Sequence, residues 1–298
     1  MTTKFISNIT GSLEGNTFHM FKACDADGNS CERVNMHGRN GLVFNSKRLE
    51  GFHIEAEDPR IFECDGQKYV AFICLSPYEG QNRCIALTPF DEFKPVALRI
   101  RGVPYNFIEK NWAPFVKDNQ IHFVYNYDPL VILKYDLNPE GWCDVVFNEG
   151  AQLPFRTDLT FLRGGSNLVP FRDNLLIGGC HSRIFLDGVF YHFTHMVLLD
   201  IDNWKVVHLS KPVRFEYSKE DIGTVDGFIY DIGPNCIQDP ISIYKNGSGY
   251  SMTINVRDCI SLLYDLKFEP ETFERPSDLQ AFTKRCALEI VIAHKKQT

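Results

Sequence analysis

The chain has 298 residues, a formal net charge of −7 and an isoelectric point near 5.7. Apolar residues make up 44% of it and aromatic residues 13%, enough to build a core and too many for a disordered chain. The acidic balance argues against a chain-wide nucleic-acid-binding face, because phosphate contacts need a basic surface; one local anion pocket stays open.

From the N-terminus, Met1 to Thr10 holds one Lys and no apolar run of the secretory kind, so no signal peptide is expected. No segment approaches the ~18 consecutive apolar residues of a membrane span. No membrane partner and no nucleic-acid partner are therefore expected. The ten Cys are scattered without a C-x-x-C pair or zinc spacing. Several sit in apolar runs, such as Cys74, and read as reduced core thiols of a cytoplasmic, reducing compartment. The sequons at Asn8 and Asn246 read as chance matches without a signal peptide.

Period-2 patterns follow one another along the chain. Lys68–Ile73 reads as a strand after the turn Asp65-Gly66, and Ile121–Tyr125 as one after Asp118-Asn119. Asn174–Gly178 follows Arg172-Asp173, and Tyr250–Ile254 follows Asn246-Gly247. Helical patterning is rare. The best case is Pro276–Arg285, with Ser277 as cap and Leu279, Phe282 and the Ala287 region as one face.

The hairpins align as a repeat of polar motif, apolar strand, Asp or Asn turn and second apolar strand. Copies begin at Glu57, Lys110, Gly165 and Gln238, spaced 53, 55 and 73 residues apart. A period of this size with a hairpin in each unit points to radial blades. The expected fold is all-β, a five-bladed β-propeller, with the first blade before Glu57 and a single domain over 1–298. An irregular β-sandwich is the alternative.

In a propeller the innermost strands converge on the axis, so equivalent polar motifs face one pocket. Glu57-Asp58-Pro59-Arg60 comes first. Pro59 removes a donor and pins the chain, so Asp58 projects from a fixed backbone, as a catalytic carboxylate or as a turn residue. Glu109-Lys110-Asn111-Trp112 offers a cation, an amide and an aromatic face, suited to an anionic or sugar ligand or to a surface charge beside a core Trp. Arg163-Gly164-Gly165-Ser166-Asn167 resembles a backbone anion nest. Gly178-Gly179-Cys180-His181-Ser182-Arg183 and Tyr191-His192 follow. Arg163, His181, Arg183 and His192 together suggest a phosphate or phosphosugar pocket. Gln238-Asp239-Pro240 and Asp258 form the last copy, and Asn45, Ser46 and Arg48 close a polar cluster of the first blade. No Walker loop, G-x-S-x-G elbow, G-x-G-x-x-G or H-E-x-x-H is present, and no metal-ligand spacing stands out.

The ordered set E-D-P-R, K-N-W-x-P-F, R-G-G-S and G-x-H resembles the five-bladed propellers of the inverting β-1,2-mannoside phosphorylases. It is most similar to the trypanosomatid-type mannosyltransferase/phosphorylases that build and degrade mannogen, a β-1,2-mannan. The resemblance runs from about Gly41 to Asp258. It implies that Asp58 is the catalytic general acid, delivering its proton through the mannose 3-hydroxyl. It implies that Asn45, Ser46 and Arg48 hold the donor mannose, that Asp258 binds mannose hydroxyls, and that His181, with Lys110, Arg163, Arg183 and His192, surrounds phosphate. Arg60, Asn111, Trp112, Asp128, Asn167 and Tyr191 complete the expected substrate-binding set. The implied partners are β-1,2-linked mannooligosaccharides, mannose 1-phosphate, inorganic phosphate as co-substrate, and GDP-mannose; no other cofactor and no metal are expected.

The residues fit that chemistry. An inverting hydrolase needs an acid and a base. A phosphorylase needs only the acid and cations that hold phosphate, because phosphate is already an anionic nucleophile. Three readings stay open beside it: a propeller glycoside hydrolase, a non-catalytic carbohydrate-binding propeller, and a transferase using only nucleotide sugars.

Overall fold

The computed structural model describes residues 57–90, 94–154, 162–186, 189–213, 215, 238–256, 260–266 and 278–295, and ahead of them the strand backbones at 3–5, 9–13, 16–24, 30–38 and 43–45. The strands are β1 (Thr3–Phe5), then β2 (Ile9–Leu13), β3 (Asn16–Cys24), β4 (Ser30–Gly38) and β5 (Val43–Asn45). Next come β6 (Glu57–Cys64), β7 (Gln67–Leu75), β8 (Arg83–Pro89) and β9 (Val96–Ala97). They are followed by β10 (Arg99–Ile100), β11 (Ala113–Lys117), β12 (Gln120–Tyr127), β13 (Leu130–Tyr135) and β14 (Trp142–Asn148). The chain continues with β15 (Leu162–Arg163), β16 (Val169–Arg172), β17 (Leu175–Leu186), β18 (Val189–Asp200) and β19 (Lys205–Leu209). The last three are β20 (Gln238–Asn246), β21 (Gly249–Val256) and β22 (Ile260–Leu266).

These group into sheets β2–β5, β6–β9, β10–β14, β15–β19 and β20–β22; β10 pairs with β14, β15 and β16 both pair with β17, and β1 joins the last sheet by pairing with β22. The architecture is an all-β, propeller-like one. Of the five blades expected, side-chain packing is described for four, the sheets from β6 onward. The sheet β2–β5 is described by its backbone, and its first strand lies against β6 and β20.

Burial on both faces of each sheet explains the near-continuous apolar strands. Successive side chains point to opposite faces, so one strand feeds two cores. On β7, Tyr69, Ala71 and Ile73 enter the core shared with the β10–β14 sheet, and Val70, Phe72 and Cys74 enter the opposite one. On β12, Phe123 joins the first of these, while Val124 packs toward Leu176, Val197 and Leu199 of the next blade. Ile177 and Met196 then meet Ile243, Met252 and Ile254.

The expected turns hold the strands in register. Asp65 and Gly66 lie at φ 51° and 72°, Asp118 and Asn119 at 52° and 54°, Asp173 at 47° and Gly247 at 58°. Asn, Asp and Gly reach this left-handed region at least cost, and it matches the twist of a hairpin. The one described helix, α1 (Leu279–Lys295), differs from the expected span. Asp278 caps it, its Oδ1 accepting from the Ala281 amide at 2.8 Å, and the expected cap Ser277 lies outside the described residues. It runs ten residues beyond Arg285, seating Phe282 against the core of the fourth blade. No described helix is long and apolar enough to cross a membrane.

Candidate functional site

The first strands of the blades meet near the axis: β6 packs against both β11 and β20. Each carries its polar motif there. On β6 the pairing with β7 slips between Glu57 and Arg60, and Asp58 sits in that bulge at φ 53°. A left-handed, non-glycine residue ahead of a proline is strained. Such a bulge aims one side chain out of the ladder.

Arg60 holds the bulge in place. It is 1% exposed and reaches across three blades. Its Nη1 donates to the Asp58 carbonyl at 2.8 Å, its Nη2 to Asn111 Oδ1 at 3.4 Å, and its Nε to the Gly165 carbonyl. Its Nη2 also lies 3.8 Å from Asp58 Oδ2. Burial pulls the Arg60 pKa down, and Asp58, Asp239 and Tyr127 pull it back. The Asp58 side chain keeps 18% of its surface exposed, so a ligand can reach it.

A second group lies beside it. His181 on β17 and His192 on β18 stack with ring centroids 5.4 Å apart and planes 10° from parallel. Asp239, from β20 of the next blade, accepts from His192 Nδ1 at 3.2 Å and lies 4.0 Å from His181 Nδ1. Thr194 Oγ1 fixes the two blades here, donating to the Gln238 carbonyl at 2.6 Å. Burial first of all, with His192, Arg163 and Lys110 adding to it against the pull of Asp239, holds His181 down to about 3. Burial alone would raise Asp239, but the two imidazoles and Lys110 outweigh it and hold the carboxyl well below the usual range. Arg163 stands opposite His181 across the β15–β17 pair and is 8% exposed.

The structure thus gathers Asp58, Arg60, Asn111, Lys110, Arg163, His181 and His192 around the first strands. Arg183 is half-buried on β17, opposite His192 in the ladder. Asp128 is half-buried and precedes the cis-proline Pro129. Asn45 ends β5 and Tyr191 lies on β18; both are placed by their backbones. Ser46, Arg48 and Asp258 lie outside the described residues.

Two expected ligand residues are structural instead. Trp112 is 1% exposed, packed edge-on against Phe123 and Tyr125, and its indole N–H donates to Glu109 Oε2 at 3.1 Å. A ring enclosed in the core offers no face to a sugar. Asn167 is fully buried and brackets the next blade, its Nδ2 donating to the Ile243 carbonyl and its Oδ1 accepting from the Ile243 amide, each at 3.0 Å. The glycines of R-G-G-S also serve packing. Neither Gly164 nor Gly165 has positive φ, as a nest would require. A Cβ on Gly164 would meet the Asn111 carbonyl oxygen at 1.8 Å, and one on Gly165 would meet Pro240 at 2.6 Å.

Motif reading names Asp239 without giving it a role and does not name Tyr127. Asp239 was visible as a second Asp-Pro, like Asp58-Pro59, although here the bulge follows the proline, between Pro240 and Ser242. Tyr127 carries no such signal in sequence. Its hydroxyl is buried beside Arg60 without a hydrogen-bond partner among the described residues.

Residues 42–188 match the family model of beta-mannosyltransferases. That stretch holds Asp58, Arg60, Asn111, Arg163 and His181. The chain is 41% identical over 99 residues to Beta-mannosyltransferase 2 of Komagataella phaffii, covering 31% of this chain and 15% of that protein. It is 30% identical over 154 residues to Beta-mannosyltransferase 3 of Candida albicans, covering 48% of this chain and 28% of that one. The match therefore spans under a third of either relative.

Among solved structures, the chain resembles a GDP-Man-dependent mannosyltransferase from Leishmania mexicana, with a TM-score of 0.55 and 10% identity over 93% of this chain and 90% of that one. It also resembles a beta-1,2-mannobiose phosphorylase from Listeria innocua, with a TM-score of 0.50 and 13% identity over 89% and 90% of the two chains. A putative glycoside hydrolase from Parabacteroides distasonis is as similar, with a TM-score of 0.56 and 11% identity over 89% and 92%. At such identities the likeness is one of fold.

Proposed function

We propose that the chain is an inverting β-1,2-mannosyl-transferring enzyme. It moves mannose between a phosphate-bearing donor, mannose 1-phosphate or GDP-mannose, and a β-1,2-mannoside, and in reverse it acts as a phosphorylase. The observation that carries this reading is the family match over residues 42–188, which contains the Asp58–Arg60 device. The matching fold of a mannosyltransferase and a mannobiose phosphorylase is consistent with it.

In synthesis, Asp58 accepts the proton of the acceptor hydroxyl, relayed through the mannose 3-hydroxyl, as the acceptor oxygen bonds to mannose C1 on one face. The C1–phosphate oxygen bond breaks on the other. The Arg60 guanidinium, 3.8 Å from the Asp58 carboxylate and bonded to the Asp58 carbonyl, fixes that carboxylate in position for the transfer. In phosphorolysis the proton returns to the leaving oxygen. Arg163, His181, Arg183 and His192 surround the phosphate, with Lys110, and stabilise the charge that develops on it. Asn45, Ser46, Arg48, Asp128, Tyr191 and Asp258 are assigned to the sugar.

The sheet β2–β5 is proposed as the fifth blade, since β2 lies against β6 and β20 and so between the first strands of two blades. Residues 1–298 would then form one catalytic unit. A reducing, cytoplasmic setting is part of the reading, supported by the six described cysteines, which are free and buried.

Purified protein incubated with β-1,2-mannobiose and either donor should elongate the acceptor. Asp58→Asn should cut the rate by about 10²–10⁴-fold, the usual worth of a positioned acid–base group. Elongation from neither donor overturns the transferase reading. Near wild-type turnover in Asp58→Asn overturns the assignment of Asp58.

A further inference from the structure

The pocket contains a feature that phosphate binding does not explain. Asp239 stands among the cations, 3.2 Å from His192 Nδ1 and 4.0 Å from His181 Nδ1, where a carboxylate repels an incoming anion. Moreover, His181 Nδ1 is buried and makes no hydrogen bond among the described residues, although the side chain is only 3% exposed. A buried ring nitrogen without a partner costs free energy unless something is bound to it.

One ligand nitrogen from each histidine and one Asp239 oxygen lie within 4.8 Å of one another. We propose that His181, His192 and Asp239 form a site for a single divalent cation of the Zn²⁺ class. Two imidazoles and a carboxylate are a donor set for a borderline metal, not for Mg²⁺ or Ca²⁺, which take oxygen. Tetrahedral ligands on Zn²⁺ bonds of ~2.0–2.2 Å sit about 3.4 Å apart. The His192–Asp239 pair is near that separation, at 3.2 Å, and His181 has to close from 4.0 Å on Asp239 and from within 4.8 Å on His192. The Thr194–Gln238 hydrogen bond pins the two strands, and the two rings, stacked 10° from parallel, have to rotate so that one ion lies in the plane of both. Side-chain exposures of 15% at His192 and 23% at Asp239 leave the ion a way in.

Three protein ligands leave a fourth position open. Lys110 and Arg163 lie within electrostatic reach of His181 and repel a bare dication. The same charges favour an anion as fourth ligand, so affinity for metal alone should fall short of that of closed structural sites. On the mannosyl-transfer reading that anion is the donor phosphate, and the metal removes the conflict that Asp239 creates. The metal site itself rests on geometry and does not need that reading.

The test therefore uses no sugar. Full-length protein is stripped by dialysis against a chelator and titrated calorimetrically with Zn²⁺, and separately with Co²⁺ followed by its visible absorption. One ion per chain is expected. Asp239→Asn and His192→Gln, each shown folded by circular dichroism, should weaken binding by about tenfold or more. X-ray absorption of Zn²⁺-loaded wild type should show two imidazole ligands, a result that requires no variant. Affinity weaker than about 1 mM, a metal shell without imidazole, or undiminished binding in folded variants overturns the site. Metal binding with no turnover would instead refute the transferase reading and leave the site standing.

Discussion

His195 shows how much of this protein's chemistry is set by a single residue's surroundings. It is fully buried, its Nδ1–H donating to the Ser210 carbonyl at 2.9 Å and its Nε2 accepting from the Ser182 hydroxyl at 2.8 Å. Both ring positions are satisfied in the neutral form, so a proton has nowhere to go. Burial accordingly lowers its pKa from 6.5 to about 4, despite the carbonyl bond. The unfolded chain binds the proton first. The stability this neutral ring contributes is complete above pH 6.5 and is lost as pH falls from there through about 4. The loss is about 1.4 kcal/mol per pH unit inside that window. Urea midpoints of wild type should drop from pH 7 to pH 5 by more than those of His195→Gln; equal drops would show that His195 does not control the window. Arg60 works in the opposite way: its charge persists in the core because three blades supply acceptors for it.

At the scale of the element, the glycine-rich turn after β15 is a joint. Gly164 lets the β15 end lie directly on the Asn111 carbonyl, and Asn111 in turn receives Arg60. A methyl group there, 1.8 Å from the carbonyl oxygen, forces the blades apart. Gly164→Ala should cost about 2–4 kcal/mol and should lower turnover with it, because Asn111 moves. Gly66→Ala is the contrast. Its turn has open space around it and only the φ of 72° to strain, so it should cost about 1 kcal/mol. Chemical denaturation of the two variants decides the matter, and similar costs would refute the joint. The strand patterns and the turns around Asp65, Asp118, Asp173 and Gly247 were legible because local φ preference and apolar alternation write them. The helix was legible only in part, since a cap at Asp278 and good helix-forming residues beyond Arg285 extend it past its first apolar face.

For the molecule as a whole, one pairing links the first described strand to the last. β1 pairs antiparallel with β22, Thr3 opposite Leu263 and Phe5 opposite Ser261, so the first strand completes the last sheet. Removing residues 1–7 leaves the β22 edge open and should lower Tm by roughly 4–8 °C, the shift expected of a few kcal/mol in a domain this large. Calorimetry of the truncated chain checks it, and an unchanged Tm would mean that the ring does not depend on this strand. Strand composition says nothing of this pairing, because contacts 260 residues apart leave no local pattern.

The sequence by itself determined the β architecture, the hairpin turns, the repeated polar motifs and the pairing of Asp58 with a rigid Pro59. Those follow from short-range rules, alternation and left-handed turns. Only the tertiary structure decided what each polar residue faces. It put Trp112 and Asn167 into the core, the first bonded to nearby Glu109 and the second bracketing the next blade, and it carried Asp239 from a distant strand to His181 and His192. The physical reason is that a side chain's exposure and partners depend on which blades meet at the axis. That is set by the packing of whole sheets, which the order of motifs along the chain leaves unspecified.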